Sequence, residues 1–201
     1  MASVGTAVLL SGGMDSIALT YSCRPQLAIT VDYGQLPAAG EVRAAAAVCE
    51  ALEIRHEVVR VDLRLLGSGD LAGGPALGIA PVREWWPFRN QMLITLAAMR
   101  VAKEDIRLLL LGTVKGDQAH ADGRREFVDA MSAVLRLQEG QLAVEAPAID
   151  VSAVDLIRNS GVPTEVLAWA HSCHVSEYAC GVCRGCFKHY QTLEALGLDP
   201  Y

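Results

Sequence analysis

The sequence predicts an α/β protein built on a parallel sheet. Three observations carry that reading. Strand-length apolar runs alternate with helix-period segments, one of those runs is near-continuous leucine, and a glycine turn joins the first run to the first helix. Thr6–Leu10 (TAVLL) is a short buried-type strand, and Ser11, Gly12 and Gly13 turn it into a helix starting over Asp15–Tyr21. Gln26–Val31 is a second strand. Glu41–Leu52 (EVRAAAAVCEAL) is a helix with small residues on its packing side. His56–Val61 alternates as a third strand. Residues 64–88 are rich in Gly and Pro, lack periodicity and read as a long loop, a feature that in compact domains goes with function or mobility. Gln91–Lys103 is a helix, and Arg107–Leu111 is a strand of the kind buried on both faces of a parallel sheet. A helix over Arg124–Arg136, a short strand over Leu142–Val144 and helices over Val154–Asn159 and Cys186–Leu196 complete the chain. The alternation implies βαβ crossovers, with ligands bound at the carboxyl ends of the strands. The sheet-building pattern ends near Pro147. Residues 1–150 therefore read as the α/β domain, and 151–201 as a helical, metal-binding extension packed on it.

Composition narrows the classes. The 201 residues are 52% hydrophobic and 20% charged, which suits one folded core and not disorder. A net charge of −6 makes a broad basic surface hard to build, so nucleic acid is not an expected partner. No run approaches the roughly 18 apolar residues of a membrane span, and no signal-peptide pattern is visible. A cytoplasmic location is expected, where thiols stay reduced. Six cysteines occur, at 23, 49, 173, 180, 183 and 186, and four of them lie within fourteen residues.

Two constellations carry chemistry. Ser11-Gly12-Gly13-Met14-Asp15-Ser16 is a glycine turn directly between a strand and a helix. Glycines let backbone approach a ligand, and the helix N-terminus offers unpaired N–H groups, so the loop can nest a phosphate. No lysine follows the glycines, which separates it from the Walker A loop. Asp15 either caps the helix or holds a divalent cation beside the phosphates. The hexapeptide SGGMDS resembles the signature of the PP-loop ATP pyrophosphatases, which cleave ATP between the α and β phosphates to adenylate a carboxylate or carbonyl oxygen. The second constellation is Cys173, Cys180, Cys183 and Cys186, spaced C-x6-C-x2-C-x2-C. Four thiolates suit a closed structural Zn²⁺ site; an iron–sulfur cluster is the other possibility. His171, His174 and His189 flank the site as substitute ligands. Cys23 and Cys49 read as packing residues.

SGGMDS and CGVCRGC in one chain resemble the 7-cyano-7-deazaguanine synthase (QueC) family. Val31-Asp32-Tyr33-Gly34-Gln35, Arg89-Asn90, Glu145-Ala146-Pro147 with Ile149 and Ser152, Gly161-Val162-Pro163 and Ser172-Cys173 extend the resemblance in the same order over most of the chain. It implies an adenine-nucleotide alpha hydrolase-like (Rossmann-like, PP-loop) fold with a C-terminal helical zinc-binding extension. It also implies an ATP-dependent carbon–nitrogen ligase using Mg²⁺. The carboxylate of 7-carboxy-7-deazaguanine would be adenylated, ammonia would give the amide, and a second activation would give the nitrile. Family members are usually homodimers. On this resemblance Leu10, Ser11, Gly12, Gly13, Met14, Asp15, Ser16, Asp32, Tyr33, Gln35 and Gly112 hold the nucleotide. Asp15, Arg89 and Asp117 are the catalytic candidates, and Trp86, Arg89, Asn90, Asp117, Asp122 and Arg124 the acceptor-binding ones. Arg89 is suited to a phosphate or carboxylate, which a guanidinium grips bidentately; its plainer reading is a solvated arginine at a helix start.

The segment after the leucine strand departs from the family pattern. Residues 112–127 keep Gly112, Asp117, Asp122, Arg124 and Phe127, but both tyrosines, the serine, the asparagine and the cysteine are gone. Trp85 or Trp86 then stacks on a heterocycle in place of a lost tyrosine, or both plug the core or a subunit interface. The alternatives for function are a related enzyme that stops at the amide or uses another amine or acid, in antiphage defence or secondary metabolism, and a PP-loop tRNA-modifying enzyme. A non-catalytic zinc module is disfavoured by the complete SGGMDS loop.

Overall fold

The computed structural model describes residues 5–80 and 82–199. Five strands form one sheet in the order β3-β2-β1-β4-β5, every pair parallel. They are β1 (Gly5–Leu9), β2 (Leu27–Asp32), β3 (Arg55–Arg60), β4 (Ile106–Leu111) and β5 (Ala143–Glu145). The helices are α1 (Met14–Cys23), α2 (Ala38–Leu52), α3 (Arg89–Val101), α4 (Arg125–Arg136), α5 (Ala153–Ser160), α6 (Thr164–Leu167) and α7 (Arg184–Leu196). Central strand β1 pairs with β2 on one side and β4 on the other, Ala7 lying opposite both Leu27 and Leu109. The chain's direction across the sheet reverses there, which opens a crevice above the carboxyl ends of β1 and β4.

Side-chain alternation along the strands builds two cores. Ala7, Ile29 and Leu109 face one way and join Ile94 and Ala97 of α3 and Val128 and Met131 of α4. Their neighbours Val8, Ala28 and Leu110 face the other way and join α1, α2, α5, α6 and α7 through Ile17, Val48, Leu156, Leu167 and Leu193. A strand buried on both faces cannot alternate apolar with polar, which is why β4 reads IRLLLL.

Most elements lie within a residue or two of the sequence expectation. Helix α2 begins three residues earlier, at Ala38, behind Pro37, which offers no side-chain cap and hid the start. Helix α6 is a single four-residue turn, too short to show a period. The 64–88 segment contains two short 3-10 turns, Arg64–Leu66 and Asp70–Ala72. It is tied down by Leu36 N–H donating to the Leu71 carbonyl at 2.9 Å and by Ser68 Oγ donating to the Trp85 carbonyl at 2.8 Å.

Candidate active site

A cleft of about 510 Å³ opens at the crevice, within the size range of small-molecule sites. Its floor is the glycine loop. Gly12 has φ +77°, and a Cβ there would lie 2.7 Å from the Glu41 carbonyl oxygen, so only glycine lets the loop pass α2 this closely. Gly13 caps α1 without any side-chain hydrogen bond. The N–H groups of the first turn therefore keep no intrahelical acceptor and point at the cleft. Ser16 Oγ donates to the Gly13 carbonyl at 2.9 Å and lies 3.2 Å from Ser11 Oγ, which stiffens the turn from within. Gly112, at the end of β4, presses on α1: a Cβ there would be 2.9 Å from Ser16 Cα.

Two carboxylates and one ammonium stand over this floor. Asp15 Oδ2 accepts from Lys188 Nζ at 3.2 Å, and Asp117 Oδ1 lies 4.0 Å from the same nitrogen. Asp117 Oδ2 accepts from the Val114 N–H at 3.0 Å, fixing the residue at the first turn after β4. Asp15 Oδ1 is buried without a partner. Burial pushes the Asp15 carboxyl above its ordinary range; Lys188 pulls it down and Asp117 adds to the rise. An orphaned carboxylate oxygen with a second carboxylate nearby, beside a phosphate-type cradle, fits Mg²⁺.

The other half of the cleft is built from side chains of separate segments. Tyr33, Glu41 and Arg89 meet above β2, with Asn90 and Asp122 beyond them. Glu41 Oε2 accepts from Gln35 Nε2 at 2.7 Å. Burial pushes Glu41 up to about 7, against the Gln35 hydrogen bond and Arg89. Burial opposes the Arg89 charge too, but Tyr33, Asp122 and Glu41 outweigh it and keep the guanidinium protonated. Asn90 Nδ2 donates to the Asp122 carbonyl at 3.1 Å, tying the start of α3 to the 115–123 segment.

Cys173, Cys180, Cys183 and Cys186 bring their sulfurs within 4.8 Å of one another. The Cys180–Cys186 and Cys173–Cys183 sulfurs are 3.9 Å apart, close to the edge of about 3.8 Å in a tetrahedron of 2.3 Å metal–sulfur bonds. Backbone N–H groups of His174 and Cys186 donate to Cys183 Sγ, and that of Cys183 donates to Cys180 Sγ, as thiolate ligands require. The donor set fits a closed Zn²⁺ site. Cys183 is also the N-cap of α7, so the cluster and the helix share a residue.

Several expected site residues lie elsewhere. Trp86 is 2% exposed and packs in the core, edge-on to Tyr33 at 4.8 Å; its large apolar ring is sequestered behind the wall and does not reach the cleft. Trp85 is half-buried in the loop outside the wall. Arg124 is exposed and its Nε donates to the Gln118 carbonyl at 3.1 Å, bracing the segment from outside. Asp32 and Gln35 shape the turn after β2: Asp32 Oδ1 accepts from Gly34 N–H, and Gln35 Oε1 accepts from Tyr33 N–H. Gly12 itself faces α2 while its neighbours line the cleft. Leu10, Ser11, Gly13, Met14, Asp15, Ser16, Tyr33, Arg89, Asn90, Gly112, Asp117 and Asp122 do line it. Sequence reasoning missed Glu41 and Lys188, and expected His174 only as a substitute metal ligand. Glu41 and Lys188 belong to no motif that would mark them, and His174, with its Nδ1 buried without a partner, lines the cleft beside them.

A parallel sheet of this order, with a glycine loop leading into a helix at its switch point, defines a Rossmann-like α/β protein of the PP-loop type. The family model described as "Queuosine biosynthesis protein QueC" matches residues 5–197, and the chain belongs to that family. Relatives named 7-cyano-7-deazaguanine synthase include those of Cupriavidus pinatubonensis (32% identical over 217 residues, 96% of this chain and 95% of that one) and Methanoculleus marisnigri (30% over 214 residues, 95% and 94%). The Porphyromonas gingivalis protein of that name is 28% identical over 207 residues, 96% of this chain and 94% of that one. Among the described residues, no helix is long and apolar enough to cross a membrane.

Proposed function

We propose that the chain is an ATP-dependent carbon–nitrogen ligase that converts 7-carboxy-7-deazaguanine to 7-cyano-7-deazaguanine with ammonia as nitrogen donor. One observation carries the reading: a single cleft joins a backbone phosphate cradle with an orphaned Asp15 oxygen to a half-buried cation, Arg89, suited to a carboxylate. The relatives' names supply the substrate. In the first half-reaction the acceptor carboxylate attacks the α-phosphorus of ATP, forming an acyl adenylate and releasing pyrophosphate. Ammonia displaces AMP to leave the amide. A second ATP activates the amide oxygen, and loss of AMP leaves the nitrile.

The first-turn N–H groups of α1, with Ser11 and Ser16, hold the phosphates. Asp15 and Asp117 would hold Mg²⁺, which when bound supplies positive charge against the polyphosphate. Arg89 orients the acceptor carboxylate, and Asn90 with Asp122 fixes the wall against which the heterocycle lies. The thiolate cluster holds α7 in place and takes no part in the chemistry. Incubation of purified protein with ATP, Mg²⁺, ammonium and 7-carboxy-7-deazaguanine, read by mass spectrometry, tests this. A nitrile product is expected. An amide or larger conjugate would move the assignment to the sister activity suggested by the altered 113–123 segment, and absence of AMP would overturn both.

A further inference from the structure

The glycine loop has no lysine of its own, yet a lysine stands over it. Lys188 lies on α7, 173 residues along the chain from Asp15, and its Nζ is 3.2 Å from Asp15 Oδ2 and 4.0 Å from Asp117 Oδ1. The side chain is 49% exposed, and it lines the cleft. A ring of contacts fixes it there. The His171 N–H donates to the Gly12 carbonyl at 2.8 Å, so the strand of chain leading to Cys173 is bonded to the glycine loop itself. Cys173 and Cys186 belong to the same sulfur cluster, and Lys188 follows Cys186 by two residues. Gly185 closes the ring: a Cβ there would sit 1.9 Å from the Ser172 carbonyl oxygen, so the first turn of α7 is pressed flat on the 172–174 segment.

We propose that Lys188 is the phosphate-binding lysine of this site, brought to the glycine loop by the cysteine-stapled helix. The proposal rests on the nucleotide reading above. Asp15 and Asp117 against one ammonium leave a net negative charge in a cradle that has to admit a polyphosphate. One lysine also leaves Asp15 Oδ1 unpaired. A divalent cation on the two carboxylates removes both problems and frees the ammonium for the terminal phosphates. Lysine suits that exchange, since its compact charge and flexible stem can change partners without a planar fork to realign.

Calorimetric titration of the full-length, zinc-loaded protein tests the idea, with magnesium pyrophosphate and AMP as probes. Zinc content and circular dichroism are measured on every variant. Lys188→Met is expected to weaken pyrophosphate binding on the order of tenfold, the scale of one charge-assisted hydrogen bond, and to leave AMP binding unchanged. Lys188→Arg is expected to restore part of the loss. Unchanged pyrophosphate affinity overturns the proposal, as does an equal loss for AMP, which would mean that Lys188 only holds the cleft open. Should Lys188→Met not reach native zinc content, Lys188→Gln is measured in its place under the same criteria. Wild-type protein that binds neither probe overturns the nucleotide reading, and this proposal with it; wild-type binding with an indifferent variant overturns the lysine alone.

Discussion

The two halves of the cleft are made differently. The proposed phosphate end is built chiefly on one hexapeptide, Ser11 to Ser16, acting mainly through backbone N–H groups whose direction is set by a glycine turn and a helix start. The proposed acceptor end comes from side chains on separate elements, with Tyr33 and Glu41 flanking the start of α2, Arg89 and Asn90 opening α3, and Asp122 in the segment before α4. A backbone site tolerates little change of sequence, because its donors are the turn itself. A side-chain site can be altered one residue at a time without disturbing the fold. This contrast allows a chain to keep an intact glycine loop while the 113–123 segment departs from the family pattern.

Three substitutions probe the contrast. Asp15→Asn is expected to lower AMP formation on the order of 10²–10³-fold, with the melting temperature unchanged. Rapid AMP formation by a well-folded variant would remove the carboxylate from the phosphate end. Glu41→Gln tests the acceptor end through pH. Folding raises the Glu41 carboxyl from its ordinary 4.5 to about 7, so the folded chain binds that proton more tightly than the unfolded one. Its contribution to stability is complete below 4.5 and is lost as pH rises through about 7. Thermal melts should therefore show Glu41→Gln gaining on the wild type across that window, by about 1–3 kcal/mol. A constant difference at all pH values would mean that Glu41 is not shielded from water. Trp86→Phe is expected to cost about 1–2 kcal/mol of stability and to leave the KM for both substrates unchanged. A higher acceptor KM without loss of stability would return Trp86 to the wall.

The same contrast decides what could be read from the sequence. SGGMDS and the four cysteines were legible because each is nearly contiguous and its spacing already implies its geometry. The sheet was legible from strands alternating with helices and from one strand of near-continuous leucine. Asp32 and Gln35 were expected to hold the nucleotide, and Trp86 and Arg124 the acceptor, because they neighbour recognisable motifs, but neighbours in sequence need not face the same way. Tyr33 reaches the cleft while Gln35 turns back to bond Tyr33 N–H and Glu41. Trp86 points into the core while Arg89, three residues on and one helix start later, lines the cleft. Lys188 could not be found from spacing at all, since tertiary packing alone brings α7 over α1.

Gly112 sets a boundary for anyone who wishes to give this scaffold a new acceptor. With 2.9 Å between its missing Cβ and Ser16 Cα, any larger residue there would lever α1 away from the sheet and misaim the phosphate cradle. A library over positions 113–123 that keeps Val114, which is buried, Asp117, which faces Lys188, and Gly123, whose missing Cβ would lie 2.2 Å from the Asp117 carbonyl oxygen, can therefore vary selectivity while the glycine loop stays where it is.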